Sequence, residues 1–294
     1  MTDRPTERSE TRPTAESEAP PPIRDHLYAL VEELLAHDGL LVALDFDGTL
    51  ADIERRPDEA TLPEETREVV SALADLPDAE VAVVSGRELA DVRERVGLSD
   101  ISYAGNHGLE LRTGEESEVH PTAREVEETI SALCDRLGER LADVDGVIVE
   151  DKGVSATVHH RLVADEDVPA VERAVETLAA DRDEVRLTTG KDVLELRPAV
   201  EWDKGEAVGW LAARLVPDDE RWLPVYVGDD TTDEAAFGVL TDRGLGVKVG
   251  DDPATDAPYR VADPEGVRAV LSWLSAYGVA FLRRDPETAS PGGR

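Results

Sequence analysis

The fold is decided by ten residues, Leu41-Val42-Ala43-Leu44-Asp45-Phe46-Asp47-Gly48-Thr49-Leu50. Residues 41–44 are an apolar run that predicts a buried strand, and the run stops at two aspartates separated by one residue. Gly48 and Thr49 then predict a turn, so Asp45 and Asp47 are expected at the carboxyl end of the strand, where open α/β sheets bind ligands. An ordinary turn explains one aspartate here, but two carboxylates are electrostatically costly unless a cation or a reaction requires them.

Length and composition bound the class of protein. With 294 residues, of which 40% are hydrophobic, the chain can form one large domain or two ordinary ones with a real core. The sequence has no run of about 18 apolar residues and no signal-peptide pattern at its start, so we expect neither a membrane span nor secretion. The single cysteine, Cys134, excludes an intramolecular disulfide framework, and its place in a helical apolar pattern predicts a packing role. These features predict a cytoplasmic protein.

Acidic residues dominate the charge of the chain. There are 66 Asp and Glu against 31 Lys and Arg, which gives a formal net charge of −35. The acidic residues are spread along the sequence, and the lysines are only Lys152, Lys191, Lys204 and Lys248. This composition is typical of a salt-rich cytoplasm, where screening makes self-repulsion tolerable, and it predicts a halophilic source. Such a surface argues against nucleic acid or an anionic membrane as a partner.

Apolar strands alternate with amphipathic helices over most of the chain, which predicts an α/β fold with a doubly wound parallel sheet. The predicted strands of this core are residues 41–46, 81–84, 101–104, 225–227 and 246–249. Its predicted helices are residues 26–37, 63–76, 88–96, 204–215 and 232–239. Residues 1–22 and 286–294 are polar or proline-rich, and we expect them to be disordered tails.

The order of predicted helices and strands changes in the middle of the chain. A predicted helix at 123–141 is followed by a hairpin at 146–150 and 155–161, and a second helix at 168–180 by strands at 185–188 and 193–197. Two helix–strand–strand units predict an inserted α+β (αββαββ) cap domain, which we place at residues 111–192. The core is then discontinuous and is formed by residues 23–110 and 193–285.

Four segments place polar residues at predicted strand ends or at a helix start, where a doubly wound sheet brings them together. They are Asp45 with Asp47, Ser85-Gly86-Arg87, Lys204, and the acidic run at 229–234. Converging carboxylates repel each other unless a divalent cation compensates, and all-oxygen ligands favour Mg²⁺. Ser85 and Lys204 supply the hydrogen-bond donor and the positive charge that a phosphoryl group needs. Singly, these segments are typical of a turn, a surface lysine and a helix N-terminus; together they predict phosphoryl transfer.

The segment Asp45-Phe46-Asp47-Gly48-Thr49, followed in order by the other three, resembles the nucleophile loop of the haloacid dehalogenase (HAD) superfamily. The resemblance implies a HAD-type core in which Asp45 is the nucleophile and Asp47 the general acid/base. It implies that Ser85 and Lys204 bind the phosphate. The implied metal ligands are Asp45, the backbone carbonyl of Asp47, Asp229 and Asp230, with Asp230 and Asp233 holding the waters of the metal or the lysine.

A narrower resemblance, over about residues 40–250, is to the trehalose-6-phosphate phosphatase family. Besides Ser85-Gly86-Arg87 and the run at 228–234, it rests on Gly105-Asn106-His107-Gly108-Leu109-Glu110, Glu150-Asp151-Lys152-Gly153-Val154-Ser155, His159-His160-Arg161 and Leu194-Glu195-Leu196-Arg197-Pro198. The implied substrate contacts are Gly86, Arg87, Asn106, His107, Glu110, Lys152, His159, Arg161, Glu195 and Arg197. Charged and polar side chains suit a disaccharide, which offers many hydroxyl groups. An ordinary solvated strand face accounts equally well for His159.

The resemblance implies an enzyme, a Mg²⁺-dependent phosphatase that hydrolyses trehalose 6-phosphate through an aspartyl-phosphate, as the last step in making the compatible solute trehalose. It names a small sugar phosphate as substrate and a trehalose-6-phosphate synthase as a candidate partner. Three alternatives remain open: a phosphatase for a sucrose- or glucosylglycerol-type phosphate, a phosphosugar mutase, and a regulatory subunit of a trehalose synthase complex. The last predicts loss of a motif acid, whereas Asp45, Asp47 and Asp229 are all present.

Overall fold

The structure is a computed structural model that describes residues 19–54, 56–190 and 192–283. The α-helices are α1 (Leu27–Ala36), α2 (Glu64–Ala74), α3 (Leu89–Val96), α4 (Pro121–Arg140), α5 (Val168–Ala179), α6 (Lys204–Leu215), α7 (Glu234–Leu240) and α8 (Pro264–Ala276). The strands are β1 (Gly39–Leu44), β2 (Ala79–Val84), β3 (Ser102–Gly105), β4 (Glu110–Thr113), β5 (Glu116–Val119), β6 (Ile148–Asp151), β7 (Ala156–His159), β8 (Val185–Gly190), β9 (Val193–Pro198), β10 (Trp222–Gly228), β11 (Leu245–Val249) and β12 (Tyr259–Val261). Short 3₁₀ helices cover Ile23–His26, Pro57–Glu59, Asn106–Gly108, Thr231–Asp233 and Gly278–Phe281.

The larger sheet has the strand order β12-β11-β10-β1-β2-β3-β4-β5. The strands from β12 to β3 are mutually parallel, and β4 and β5 continue the sheet in antiparallel pairing. All six residues of the central strand β1 are buried, because helices cover both of its faces; this accounts for the continuous apolar run in its sequence. The predicted α/β fold with a parallel sheet core is confirmed.

Alternate residues of β1 face opposite layers of helices. Val42 and Leu44 belong to the apolar core under α1, α2, α3 and α8. Ala43 and, on the neighbouring strand, Tyr226 belong to the core under α6 and α7. Because successive side chains of a strand point to opposite faces, one apolar strand serves both layers. Helices pack against β1 from both sides, and this packing fixes the position of the carboxyl end of the strand.

The second sheet has the order β6-β7-β9-β8 and is antiparallel throughout. Helices α4 and α5 pack on it, and the buried side chains of Val126, Ile130 and Leu137 recur at helical spacing along α4. Cys134 is buried in the same core, which confirms its packing role. We call α4, α5 and strands β6–β9 the cap layer.

The two sheets do not divide the chain at the predicted limits of the cap, residues 111–192. The chain leaves the larger sheet only after β5 and returns to the core only after β9, because β9 pairs with β7 and β8. The hairpin of β4 and β5 covers the edge of β3, and its mostly polar residues gave no strand pattern. Strand β12 and helix α8 were not predicted either. The division into two domains itself stays a prediction.

Of the predicted tails, residues 1–18 and 286–294 lie outside the described residues. Within the predicted N-terminal tail, however, Pro21 and Pro22 lie along β12, where the N–H of Arg260 donates to the carbonyl oxygen of Pro21 at 3.1 Å. An edge strand leaves such donors unpaired, and the carbonyl oxygen of Pro21 accepts from one of them. Among the described residues, no helix combines the length and the apolar character that crossing a bilayer requires.

Candidate active site

Three loops of the site begin where neighbouring parallel strands end. Asp45 follows β1, Ser85 follows β2 and Asp229 follows β10. Strand β1 pairs with both of the others, and the N–H of Asp45 donates to the carbonyl oxygen of Val227 at 2.9 Å. Because parallel strands end at a common edge, the predicted residues meet there.

The ammonium group of Lys204 lies at the centre of this edge. Its Nζ donates to Oδ1 of Asp45 at 2.8 Å and to Oδ1 of Asp233 at 2.6 Å. Lys204 is the first residue of α6, and the carboxylate of Asp203 caps that helix by accepting from the two N–H groups that follow Lys204. The cap fixes the start of the helix and, with it, the position of the lysine.

Burial and charge oppose each other within this group. Burial has the largest effect on Asp45 and raises the pKa of its carboxyl well above the ordinary value, although the charge of Lys204 acts against it. Burial also disfavours the charged form of Lys204, but Asp233 and Asp45 outweigh it and raise the pKa of the ammonium group. Burial and the charge of Asp233 raise the pKa of Asp229 to about 6. The site therefore holds more negative charge than one lysine neutralises.

A divalent cation fits this charge. Three aspartates each offer one carboxylate oxygen here, and these oxygens lie within 4.8 Å of one another; the residues are Asp45, Asp229 and Asp233. Oxygen ligands and a net negative charge match the needs of Mg²⁺, which usually takes one or two carboxylates. Gly48 keeps the place open, because it has φ +80° and a Cβ there would lie 2.3 Å from Oδ2 of Asp229. Asp45 and Asp229 are the residues that would hold the ion.

Two other predicted metal ligands have protein partners. The carboxylate of Asp47 accepts from Arg87, from Nη2 at 2.6 Å and from Nε at 2.7 Å. The carboxylate of Asp230 accepts from the N–H of Thr231 at 2.7 Å and caps the short helix that follows. Both residues line the cavity described below, but neither side chain belongs to the group of three carboxylates. Their role at the metal, including that of the Asp47 carbonyl, stays a prediction.

The loop after β2 interlocks with the segment after β3. The N–H of His107 donates to the carbonyl oxygen of Ser85 at 2.8 Å, and the Lys152 ammonium donates to that of Gly86 at 2.9 Å. A Cβ on Gly86 would lie 2.7 Å from the His107 ring, so a larger residue there would displace the ring. Ser85 is buried, and its Oγ accepts from the N–H of Arg87 at 3.1 Å. Gly86, His107 and Lys152 line the cavity, whereas Ser85 does not.

Two predicted substrate contacts, Asn106 and Glu110, do not line the cavity. Asn106 is fully buried with φ +49°; its Oδ1 accepts from the Ser155 hydroxyl at 2.6 Å and its Nδ2 donates to the Lys152 carbonyl oxygen at 3.1 Å. Oε2 of Glu110 accepts from Asn106 at 2.5 Å and from the N–H of Leu89 at 3.1 Å. These bonds join the core to the cap layer, so the structure places both residues in support of the site.

A cavity of about 580 Å³ lies between the larger sheet and the cap layer. Its floor includes Asp45, Asp229 and Lys204, and its roof includes Thr157 and Thr188 of the cap sheet. The volume is in the range of pockets that enclose a small molecule. Polar groups on both sides suit a ligand that is charged at one end and hydroxylated at the other.

Two carboxylates of the roof are held by histidines. Oε2 of Glu150 lies 2.7 Å from Nε2 of His159, and Oε1 of Glu195 lies 3.4 Å from Nε2 of His107. Burial lowers the pKa of His107, more than Glu195 raises it. Burial opposes ionisation of Glu195, but His107 and Lys152 (among others) outweigh it and lower the pKa of its carboxyl. The roof therefore offers ionised acceptors for hydroxyl groups.

The two predicted arginines of the cap layer differ in their contacts. Arg161 reaches from the cap to the core, where its Nη1 donates to the carbonyl oxygen of Glu54 at 3.0 Å, and its Nε donates to Asp192 at 3.3 Å. Arg197 donates to the carbonyl oxygen of Trp202 at 3.1 Å, close to the start of α6. Both line the cavity.

Several cavity and support residues were not predicted from the sequence. Glu150 belongs to the segment 150–155, on which the family resemblance partly rests, and it faces the cavity beside His159. The alternation of side chains along its strand could have indicated this position. The buried hydroxyl of Tyr226 donates to Oδ1 of Asp233 at 2.6 Å, and an apolar strand pattern gives no sign of such a bond. Thr188 was missed because its position in the cavity depends on how the cap sheet packs. Asp203 was also missed, although an aspartate directly before a predicted helix start is a signal for an N-cap.

Comparisons with known proteins point to one family. The sequence model described as Trehalose-phosphatase matches residues 43–265. The trehalose-phosphate phosphatase of Mycobacterium marinum is 42% identical over 220 residues, which are 71% of this chain and 54% of that protein. An uncharacterized glycosyl hydrolase of Mycobacterium tuberculosis is 40% identical over 224 residues, 75% of this chain and 17% of that protein. The chain thus spans about half of the first relative and under a fifth of the second.

Solved structures agree on the fold. The crystal structure of a trehalose-6-phosphate phosphatase related protein has a TM-score of 0.73 and 25% identity, over 82% of this chain and 99% of that one. The C-terminal domain of trehalose-6-phosphate phosphatase from Candida albicans has a TM-score of 0.72 and 21% identity, over 87% of this chain and 98% of that one. At this level of identity the second likeness concerns the fold alone.

Proposed function

Because this chain belongs to the trehalose-phosphatase family, we propose that it hydrolyses trehalose 6-phosphate to trehalose and inorganic phosphate. One observation carries the proposal: a buried lysine bridges Asp45 to Asp233 at the floor of a cavity whose roof is polar. The floor suits a phosphoryl group and the roof suits a sugar. The cavity volume, about 580 Å³, accommodates a phosphorylated disaccharide.

The reaction proceeds in two halves. Asp45 attacks phosphorus, a bond forms between its carboxylate oxygen and phosphorus, and the bond from phosphorus to O6 of the sugar breaks. Asp47 gives a proton to O6 as it leaves, and trehalose departs. Water then attacks the aspartyl-phosphate while Asp47 takes a proton from it, which releases phosphate and restores the Asp45 carboxylate.

The charged groups of the floor lower the barrier. Lys204 neutralises the Asp45 carboxylate, so that a phosphate dianion can approach it, and Asp233 keeps the ammonium group in place. Asp45 and Asp229 would hold Mg²⁺, which would supply further positive charge at the phosphate site. Asp47 and Asp230 are proposed to complete the surroundings of the ion. Ser85 is buried outside the cavity lining, so its proposed part is to shape the phosphate site through its bonds with the N–H groups of Arg87 and His107.

The cap layer binds the sugar. Glu150, Lys152 and Glu195 face the cavity with charged groups that are fixed by neighbours. Ionised carboxylates accept hydrogen bonds from sugar hydroxyls, and the lysine donates to them. Glu150 thereby joins the sequence-predicted contacts His107, His159, Arg161 and Arg197. Asn106 and Glu110 act behind this surface.

The cellular setting is part of the proposal. The acidic composition and the rarity of lysine support a halophilic source, where trehalose would serve as a compatible solute in a salt-rich cytoplasm. A trehalose-6-phosphate synthase, which makes the substrate, is the proposed functional partner.

The deciding experiment measures phosphate release from a panel of sugar phosphates in molar salt with Mg²⁺. The panel holds the 6-phosphates of trehalose, sucrose, glucose and mannose, and glucosylglycerol phosphate. We expect strong preference for trehalose 6-phosphate, no turnover by Asp45→Asn, and none in EDTA. Preference for another sugar would overturn the substrate, full activity in EDTA would overturn the metal, and isomerised product without phosphate release would indicate a mutase.

A further inference from the structure

The guanidinium group of Arg87 binds Asp47 at two points. Nη2 lies 2.6 Å from Oδ1 and Nε lies 2.7 Å from Oδ2. Parallel N–H bonds of this kind are the strongest and most directional that a carboxylate accepts from a side chain. Arg87 is nearly buried, whereas the Asp47 side chain is 38% exposed and lines the cavity. The acid therefore faces the substrate space, and Arg87, which also contributes to the cavity wall, holds it there with donors that point to the acid.

Arg87 is itself anchored on its other sides. Its Nη1 donates to Asp91 of α3 at 2.9 Å, and its Nη2 donates to the carbonyl oxygen of Pro57 at 2.9 Å. Asp91 in turn accepts from Nε of Arg95, at 2.8 Å to each oxygen. The ring of Phe46 lies 5.4 Å from the guanidinium carbon. Such a braced group can orient a neighbour but is poorly placed to follow a moving ligand.

Nearly all donors of Arg87 are already engaged. A guanidinium group has five N–H bonds, and four of them point to Asp47, Asp91 and Pro57. The sequence resemblance implies that Arg87 contacts the substrate, but these bonds leave little capacity for it. Nε and Nη2 of Arg87 bind one oxygen of Asp47 each. This arrangement stabilises the carboxylate form that Asp47 takes after it has donated its proton.

We propose that Arg87 is a positioning residue that acts through Asp47 when the ester bond is cleaved, and is not a ligand of the sugar or the phosphate. The inference rests on the proposed function, since it takes Asp47 as the acid. Arg87 keeps its own protons: the proton moves from Asp47 to O6 as the bond from phosphorus to O6 breaks. In the steps up to the aspartyl-phosphate, Arg87 therefore matters only when the leaving atom needs a proton.

The leaving atom can be changed without changing the sugar. In the analogue of trehalose 6-phosphate with sulfur in place of bridging O6, a thiolate leaves and needs no proton. The measured quantity is kcat/KM, which covers the steps up to the aspartyl-phosphate. In Arg87→Lys the charge remains but the two-point bond is lost. We expect kcat/KM to fall roughly tenfold to hundredfold for the oxygen ester, which is part of the roughly 10²- to 10⁴-fold that general acid catalysis contributes, and to stay nearly unchanged for the sulfur ester.

The ratio of the two kcat/KM values separates the alternatives. A lost sugar contact, a lost phosphate contact or a smaller folded fraction would lower both values alike, and an equal loss would overturn the proposal. Arg214→Lys is the matched control, because Arg214 binds both oxygens of Glu118 at 2.8 and 2.9 Å on the surface; neither value should change. Asp47→Asn should show the same selectivity as Arg87→Lys. If Asp47→Asn lowers kcat/KM equally for both esters, the acid assignment of the proposed function fails. If Asp47→Asn is selective but Arg87→Lys lowers kcat/KM for both esters, only the inference about Arg87 fails.

Discussion

The hydroxyl of Tyr226 donates a hydrogen bond of 2.6 Å to Oδ1 of Asp233, the oxygen that also accepts from Lys204 at 2.6 Å. The other oxygen of Asp233 accepts from the N–H of Asp230 at 2.8 Å. Burial opposes ionisation of Asp233, but Lys204 and then Tyr226 outweigh it and hold the pKa of its carboxyl below the ordinary value. With its oxygens engaged in this way, Asp233 serves as a fixed counter-ion for the lysine.

Replacing Tyr226 by Phe should therefore weaken the site without opening a cavity. The ring keeps its packing against Phe237, and only the bond to a charged acceptor is lost, which costs about 1.5–3 kcal/mol. Urea unfolding measures this loss, and kcat should fall as well. Tyr103→Phe is the control, since the hydroxyl of Tyr103 donates to the neutral carbonyl oxygen of Leu98. It should cost only about 1 kcal/mol and leave kcat unchanged; equal effects on kcat would contradict the role given to Tyr226.

Removing the charge of Lys204 should leave two buried carboxylates without their partner. For Lys204→Met we expect a loss of about 3–5 kcal/mol in the free energy of unfolding at neutral pH, together with the loss of turnover. Part of the stability should return at acidic pH, where Asp45 takes up a proton readily because burial raises the pKa of its carboxyl. Unfolding curves at two pH values test this; a variant that is as stable as the parent at neutral pH would refute it.

Gly48 should be required for metal binding as well as for backbone geometry. Gly48→Ala places a Cβ 2.3 Å from Asp229 at φ +80°, whereas Gly114→Ala meets nothing within 4 Å at φ +57°. Both variants carry the strain of a left-handed residue, about 1–2 kcal/mol. Only Gly48→Ala should also weaken Mg²⁺ binding, about tenfold to hundredfold. Calorimetric titration with Mg²⁺ distinguishes them, and equal affinities would show that the close approach is harmless.

The raised pKa of Asp229 should make the metal-free protein sensitive to pH. Its carboxyl has a pKa of about 6 in the folded chain, against an ordinary value of 3.8, because of burial and the charge of Asp233. Between these values the folded state keeps a proton that the unfolded state releases, so the stability of the metal-free protein falls as pH rises toward 6. Stabilisation by Mg²⁺ should increase over the same interval, because the ion needs the ionised form. Thermal unfolding with and without Mg²⁺ measures both effects; Asp229→Asn should abolish the difference.

The parallel core and its acidic edge were predictable because both depend on local patterns. An apolar strand that stops at Asp45, and another that stops at Asp229, place their carboxylates together in any parallel sheet. The start of α6 at Lys204 was predicted to the residue. The hairpin of β4 and β5 was not, since its sequence is polar and its strands form by pairing with the edge of β3.

The partners of individual side chains could not be predicted. The family resemblance implied substrate contacts for Arg87, Asn106 and Glu110. In the structure all three bind protein groups, and of the three only Arg87 lines the cavity. Such pairings join residues far apart in sequence, for example Arg87 with Asp47, and depend on how loops meet. Residue type and spacing indicate what a side chain can bind, and only the fold decides which neighbour it finds.

The rarity of lysine has a practical consequence for the chemist. In residues 19–54, 56–190 and 192–283, each of the three lysines is at most 7% exposed. Lys152 donates to Gly86, Lys204 to Asp45 and Asp233, and Lys248 to the carbonyl oxygen of Asp230. All three side chains line the cavity, so bulky reagents that acylate primary amines find no ε-amino group projecting from the outer surface of this part of the chain. Fluorescent labelling or covalent immobilisation by that chemistry would leave these three side chains unmodified, and coupling through carboxylates would have many sites to choose from.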